Sequence, residues 1–342
     1  MAGTLISPKV SGLSISLQES RILLKVLFYT SLTAYIVWFG DILRNPSLLL
    51  EVIYGNKGAT YKVRETYETM PGITTLTQLS ILYSCLYALL PDKDRSQRVM
   101  LYILVALTTF RAFFWSERLA LIEVVIPIVI VGCLAVRRGK ARCIVSLMPL
   151  IGIAGILILF ALFEYHRTWV NHYINIYDNY FEFVTSRVFS YYYLALNSGA
   201  GLINELGAGQ NTPFYTLQSL YRLPMLGELI YNYMEPGNPT RDFLYRFADP
   251  EFNNMSGVFT VIYDYGASAF VVFFLIGFLA RITYRSFISA ELSWLSLMYP
   301  IFFISLIELL RVNYIFSVRV FPVFAFAFAY CISKFIFSRA SR

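Results

Sequence analysis

Charge is scarce in this sequence. Asp, Glu, Lys and Arg make up 14% of the 342 residues, against about 25% in soluble domains. Histidine is nearly missing, with His166 and His172 alone. The four cysteines, Cys85, Cys133, Cys143 and Cys331, fall in or beside apolar runs; none shows metal-ligand spacing, and no disulfide framework is implied. No phosphate-binding glycine loop, nucleophile elbow, internal repeat or low-complexity tract occurs. Residues 1–20 are polar and lack the apolar core of a cleaved signal peptide, so the first apolar run is expected to be an uncleaved signal anchor. The net charge of +7 would suit nucleic acid, but the basic residues sit in short clusters between apolar runs, and a nucleic-acid partner is excluded.

Apolar residues are abundant instead, at 57% of the chain, with 17% aromatic. A helix needs roughly 20 apolar residues to cross a bilayer. Runs of about that length fall near 22–40, 73–91, 99–114, 119–136, 143–163, 258–280, 294–310 and 318–337. This pattern predicts an all-α, polytopic transmembrane bundle of about eight spans, with residues 1–342 forming one integral membrane domain. Of the 28 basic and 21 acidic residues, the segments on the side of the N-terminus take 15 and 4, leaving 13 and 17 on the other side. The positive-inside rule then places both termini in the cytoplasm. The clearest cluster is Arg137-Arg138-Gly139-Lys140-Ala141-Arg142, which contains no acid.

The segment 164–257 becomes a large outer loop, too long to lack structure. Within it Phe214, Leu217, Leu220 and Tyr221 follow Pro213 at helical spacing. Pro224 interrupts them, and Leu226, Leu229, Ile230 and Tyr233 resume an apolar face. These residues predict a broken amphipathic helix at the membrane surface. Residues 187–206 are apolar but hold Gly199 and Gly201, which points to a broken, re-entrant segment.

Ionisable residues inside spans are costly and commonly face a cavity or a partner. Arg111, Glu123, Asp264, Glu308, Arg311 and Arg319 all fall within about two turns, or about 10 Å, of the outer helix ends. Glu308 and Arg311, three residues apart, are also placed to pair. An outward-facing polar cavity is the expectation. From the third span onward the outer side carries nine Arg and no Lys, and the planar arginine fork binds phosphate oxygens in pairs. Tyr191, Tyr192 and Tyr193 offer aromatic faces for sugar rings or an interfacial belt. Asp92-Lys93-Asp94 looks like a metal-binding pair, but its setting in a basic cytoplasmic turn reads as a solvated loop. His166 and His172 are not spaced as a metal pair on one helix face; either is a candidate general base.

Asn253-Asn254-Met255-Ser256-Gly257-Val258-Phe259-Thr260, followed by Tyr263-Asp264-Tyr265-Gly266, resembles the signature ending the large periplasmic loop of Wzy-type oligosaccharide repeat-unit polymerases, the O-antigen and capsule polymerases of bacteria. Arg111 with Ser116-Glu117-Arg118 resembles the Arg-bearing short loop upstream in that family, and Arg187-Val188-Phe189-Ser190-Tyr191 is a weaker match. The resemblance covers roughly residues 100–320, and family members commonly carry more spans. It implies a GT-C-like membrane glycosyltransferase in the bacterial inner membrane. Such an enzyme moves a glycan from polyprenyl pyrophosphate to a hydroxyl of an incoming lipid-linked repeat unit, without metal or cofactor. Its partners would be membrane lipids, the lipid-linked oligosaccharide and a chain-length regulator protein. Under this reading Arg118, Arg187, Arg311 and Arg319 hold the pyrophosphate, and Arg111 belongs to the substrate-binding set. Asn254, Thr260 and Tyr263 bind substrate, and Asp264, Glu117 or His166 acts as the base. An O-antigen ligase shares the same donor chemistry. A flippase for the same lipid-linked sugar is the other alternative, although such transporters tend to show inverted repeats and midplane charges.

Overall fold

The computed structural model describes residues 14–54, 56, 58–67, 70, 72–115, 117–137, 142–210, 212–223, 226–234, 239–248, 252–289 and 291–340. These are mostly helical, with no strand among them beyond an isolated bridge between Ser14 and Ser293. The elements run α1 (Leu17–Leu43), α2 (Pro46–Ile53), α3 (Ala59–Thr66), α4 (Leu79–Leu89), α5 (Arg95–Trp115), α6 (Arg118–Arg137), α7 (Arg142–Glu164) and α8 (Tyr180–Leu206). They continue through the short α9 (Gln218–Tyr221), α10 (Gly227–Met234) and α11 (Pro239–Phe247) to α12 (Gly257–Tyr265), α13 (Ala269–Ile288), α14 (Trp294–Glu308) and α15 (Phe321–Ala340). Every apolar run picked out above is helical over most of its length. Four stretches are long and apolar enough to cross a membrane: Leu17–Gly40, Arg95–Trp115, Ser146–Glu164 and Gly257–Ile288.

Local chemistry sets several helix starts. Ser16 and Glu19 form a reciprocal capping box on α1: Glu19 N–H donates to Ser16 Oγ at 3.2 Å, and Ser16 N–H to Glu19 Oε2 at 2.7 Å. Asn179 caps α8 by accepting from Glu182 N–H at 2.9 Å, and Ser293 caps α14 by accepting from Ser296 N–H at 3.2 Å. Pro127, Pro149 and Pro300 lie inside α6, α7 and α14.

At the centre is α4, which packs against α1, α5, α6, α14 and α15. Leu79, Leu82, Tyr83, Cys85 and Leu86 have no exposed surface. Lipid tails are as apolar as these side chains, so the association rests on close packing and hydrogen bonds rather than water exclusion. Tyr83 donates to the Gln97 carbonyl at 2.8 Å, and Tyr35 pairs with Thr108 at 2.7 Å. On the other side, α7 and α13 turn Leu150, Ile151, Ile158, Phe270 and Phe274 outward, which suits lipid-facing surfaces.

Segment 164–257 is largely helical rather than loop. A wide π-helical stretch, Tyr165–Tyr173, extends α7, and α8 then runs for 27 residues. Gly199 and Gly201 do not break α8, contrary to the re-entrant expectation. A Cβ on Gly199 would lie 2.7 Å from Phe259 Cβ, and one on Gly201 would lie 2.9 Å from Phe243 Cζ. These glycines admit neighbouring rings, and that contact outweighs glycine's low helix propensity. The amphipathic stretch is broken as expected, into α9 and α10, although Phe214–Leu217 bends instead of coiling.

Candidate functional site

Five helix ends meet around one cavity of about 460 Å³. Its wall includes Glu117, Arg118, Asn254, Glu308, Arg311 and Arg319, together with Tyr191 and Tyr192 of α8 and Tyr314 and Ser317 of the α14–α15 connection. Arg111 at the end of α5 sits behind this wall. It holds Glu117 at 2.8 Å and Thr77 Oγ1 at 2.5 Å.

The charges are arranged in three groups. In the first, Glu117 is shared by Arg111 and, at 3.4 Å, Arg319. Arg319 also grips Glu123 with two bonds of 2.9 Å, and Tyr314 donates to Glu123 at 2.7 Å. In the second, Arg118 and Arg187 converge on Glu164, at 3.1 and 3.6 Å. Glu164 is fully buried and also accepts from Thr168 Oγ1 at 2.5 Å. In the third, Arg311 binds Glu308 through Nε and Nη2, both at 2.6 Å. Aromatic rings flank the guanidiniums: Phe160 lies 3.8 Å from Arg118, and Phe252 lies 4.6 Å from Arg187.

Burial would raise the Glu117 pKa, but Arg319 and then Arg111 outweigh it and hold the carboxyl below its usual range. Glu117 is therefore ionised near neutrality. Among the described residues, five arginines face four glutamates, an excess of one positive charge. Each guanidinium has five N–H donors, and a carboxylate contact uses at most two, so an ion-paired arginine keeps donors for further oxygens.

Of the residues named from sequence, Glu117, Arg118, Arg311, Arg319 and Asn254 share the cavity wall, and Arg111 and Arg187 bind carboxylates of the same cluster. Asp264 is elsewhere. Its Oδ1 accepts from Phe214 N–H at 3.0 Å and Tyr215 N–H at 3.3 Å, and its Oδ2 accepts from Thr216 N–H and Oγ1, both at 2.8 Å. It pins the bend before α9 to α12 and is not part of the cavity wall. Thr260 donates back to the Gly257 carbonyl at 3.1 Å, and Tyr263 is packed against Tyr215. The side chain of His166 lies outside the described residues. Sequence reasoning missed Glu164, whose one signal is a lone acid immediately after an apolar run. Among the described residues, no three of His, Cys, Asp or Glu converge to hold a metal ion. No family model, no curated protein and no solved structure matches the chain.

Proposed function

We propose that this chain is a membrane glycosyltransferase of the oligosaccharide-polymerase type, and that the arginine-walled cavity holds the pyrophosphate of a polyprenyl-linked donor. The observation carrying this reading is the meeting of Arg118, Arg311 and Arg319 around one cavity with Asn254 and three tyrosines. In this reading α1, α4, α5, α6, α7, the α12–α13 pair, α14 and α15 form eight spans in a GT-C-like arrangement. Both termini are cytoplasmic, and the cavity opens to the periplasm.

The acceptor hydroxyl attacks the anomeric carbon of the donor glycan. The bond from that carbon to the pyrophosphate oxygen breaks, and its electron pair leaves with the pyrophosphate. Preorganised guanidiniums stabilise the growing charge, and losing one such donor typically costs about 10²–10³ in rate. Glu117, kept ionised by Arg111 and Arg319, orients the acceptor hydroxyl and takes its proton. Glu164 positions Arg118 and Arg187.

The test is a gel of surface polysaccharide from a strain lacking the gene, complemented with wild-type, Arg118→Ala or Arg311→Ala. The expected result is a ladder with wild-type and single repeats with either variant at normal protein level. Ladders of wild-type length from both variants would sink the pyrophosphate assignment. Accumulated lipid-linked polymer in the deletion strain would mark a ligase instead, and lipid-linked single units held inside would mark a flippase.

A further inference from the structure

A second cavity, of about 400 Å³, lies between α8 and α11. Its polar wall is Asn197, Ser198 and Glu205, and its aromatic wall is Phe243, Phe247 and Phe252. The two cavities follow one stripe of α8. Val188 and Tyr191 line the first, and Leu194, Ser198, Gly201 and Glu205 line the second, in steps of three or four residues. From Val188 to Glu205 this stripe is roughly 25 Å long at about 1.5 Å per residue. Phe252 forms the junction: its ring packs on Tyr191 at 5.5 Å and on Arg187 at 4.6 Å, and it also lines the second cavity.

The charge differs sharply along this path. The first cavity is lined by three arginines and two glutamates, whereas among the described residues Glu205 is the one charged residue lining the second. An anionic head group is therefore drawn to the first cavity and repelled from the second. A polyprenyl or acyl chain is a poor occupant of the second, because it would cover a carboxylate, an amide and a hydroxyl without hydrogen-bonding any of them. Aromatic faces opposite an amide, a hydroxyl and a carboxylate match the alternating apolar faces and hydroxyl edges of a sugar. The phenylalanine wall approaches closely because position 201 is glycine, with the Phe243 ring against it.

We infer that this second cavity is a saccharide subsite that takes an uncharged sugar unit of the glycan and, through Glu205, discriminates against acidic sugars. The assignment of the glycan to this groove rests on the glycosyltransferase reading above.

Full-length protein in phosphatidylethanolamine/phosphatidylglycerol nanodiscs is photolabelled with a diazirine derivative of maltotriose or of trigalacturonate, and the labelled peptides are mapped. The neutral probe is expected to label 194–205 and 243–248 about fivefold more than the anionic one, as a like-charge contact at the protein surface requires. Glu205→Gln should bring the two probes within about twofold, and Asn197→Ala with Ser198→Ala should cut neutral labelling several-fold. Equal labelling by both probes, labelling only elsewhere, or labelling unchanged by the double substitution would overturn the subsite. A diazirine farnesyl pyrophosphate probes the arginine cavity separately. Its failure to label there, with maltotriose labelling intact, removes the donor assignment and leaves a saccharide site; the opposite pattern removes the subsite alone.

Discussion

Asp264 and Glu164 are both buried carboxylates near helix ends, and they are neutralised in opposite ways. Four donors from residues 214–216, three of them backbone N–H groups, close around Asp264. Guanidiniums from α6 and α8 meet at Glu164. Backbone donors spent on a carboxylate have nothing left to offer a ligand, and the result is a fixed joint between a bend and a helix. Arginines spent on a carboxylate keep donors and charge, and the result is a surface that can still bind an anion. Buried acid alone does not separate structure from function; the chemistry of its partners does.

The contrast is broken most forcefully at the joint. Asp264→Ala strands three backbone N–H groups and is expected to cost about 3–5 kcal/mol, read as loss of protein from the membrane fraction. Asp264→Asn keeps an acceptor for Phe214 and Tyr215 and should retain part of the yield. At the cavity the larger effect falls on activity: Arg118→Ala or Arg311→Ala should lower transfer per folded molecule by at least about 10²-fold in an assay with lipid-linked repeats, and each also lowers the melting temperature in detergent because Glu164 or Glu308 loses an ion-pair partner. Gly266, with φ of 54° and ψ of −129°, carries the backbone past Gly209. A Cβ there would lie 3.3 Å from Gly209 Cα, so Gly266→Ala should destabilise by about 1–3 kcal/mol with transfer per folded molecule retained.

The smallest effect sharpens the comparison by pH. The Glu117 pKa is depressed in the folded protein, so its ion pairs stabilise above the unfolded carboxylate value of about 4.3 and fade as pH falls through the folded value. Wild-type should exceed Glu117→Gln by about 1–2 kcal/mol near neutrality. The gap should close in acid, as measured by melting temperature against pH. A gap that persists unchanged through acid would deny Glu117 its paired, ionised state.

The helices were legible because apolar run length is set by the bilayer, and each run shows in one dimension. The arginine cluster was legible for a related reason: ionised groups inside apolar runs are costly, so Arg111, Glu123, Arg311 and Arg319 stood out. The partners were less accessible. Arg319 and Glu123 are 196 residues apart, and only the packing of α6 beside the α14–α15 connection joins them. The donors to Asp264 lie 48 to 50 residues upstream, in a bend that reads as the start of a helix because Phe214 and Leu217 have helical spacing. Gly199 and Gly201 read as breaks because propensity is local, while the rings of Phe259 and Phe243 that fill their places come from other elements.

The central position of α4 also has a consequence for biosynthesis. Its neighbours include α1, made before it, and α14 and α15, made more than two hundred residues later. Lys334 of α15 reaches back to the Ser14 carbonyl at 2.7 Å and to Glu19 of α1 at 3.2 Å. The ribosome must therefore produce nearly the whole chain before the core around α4 can close. Arg319, on the approach to α15, joins its carboxylates in the same late step. Until then the nascent protein holds an unfinished groove where α4 will be covered, and a translation stop before α15 leaves both the core and the charged cavity incomplete together.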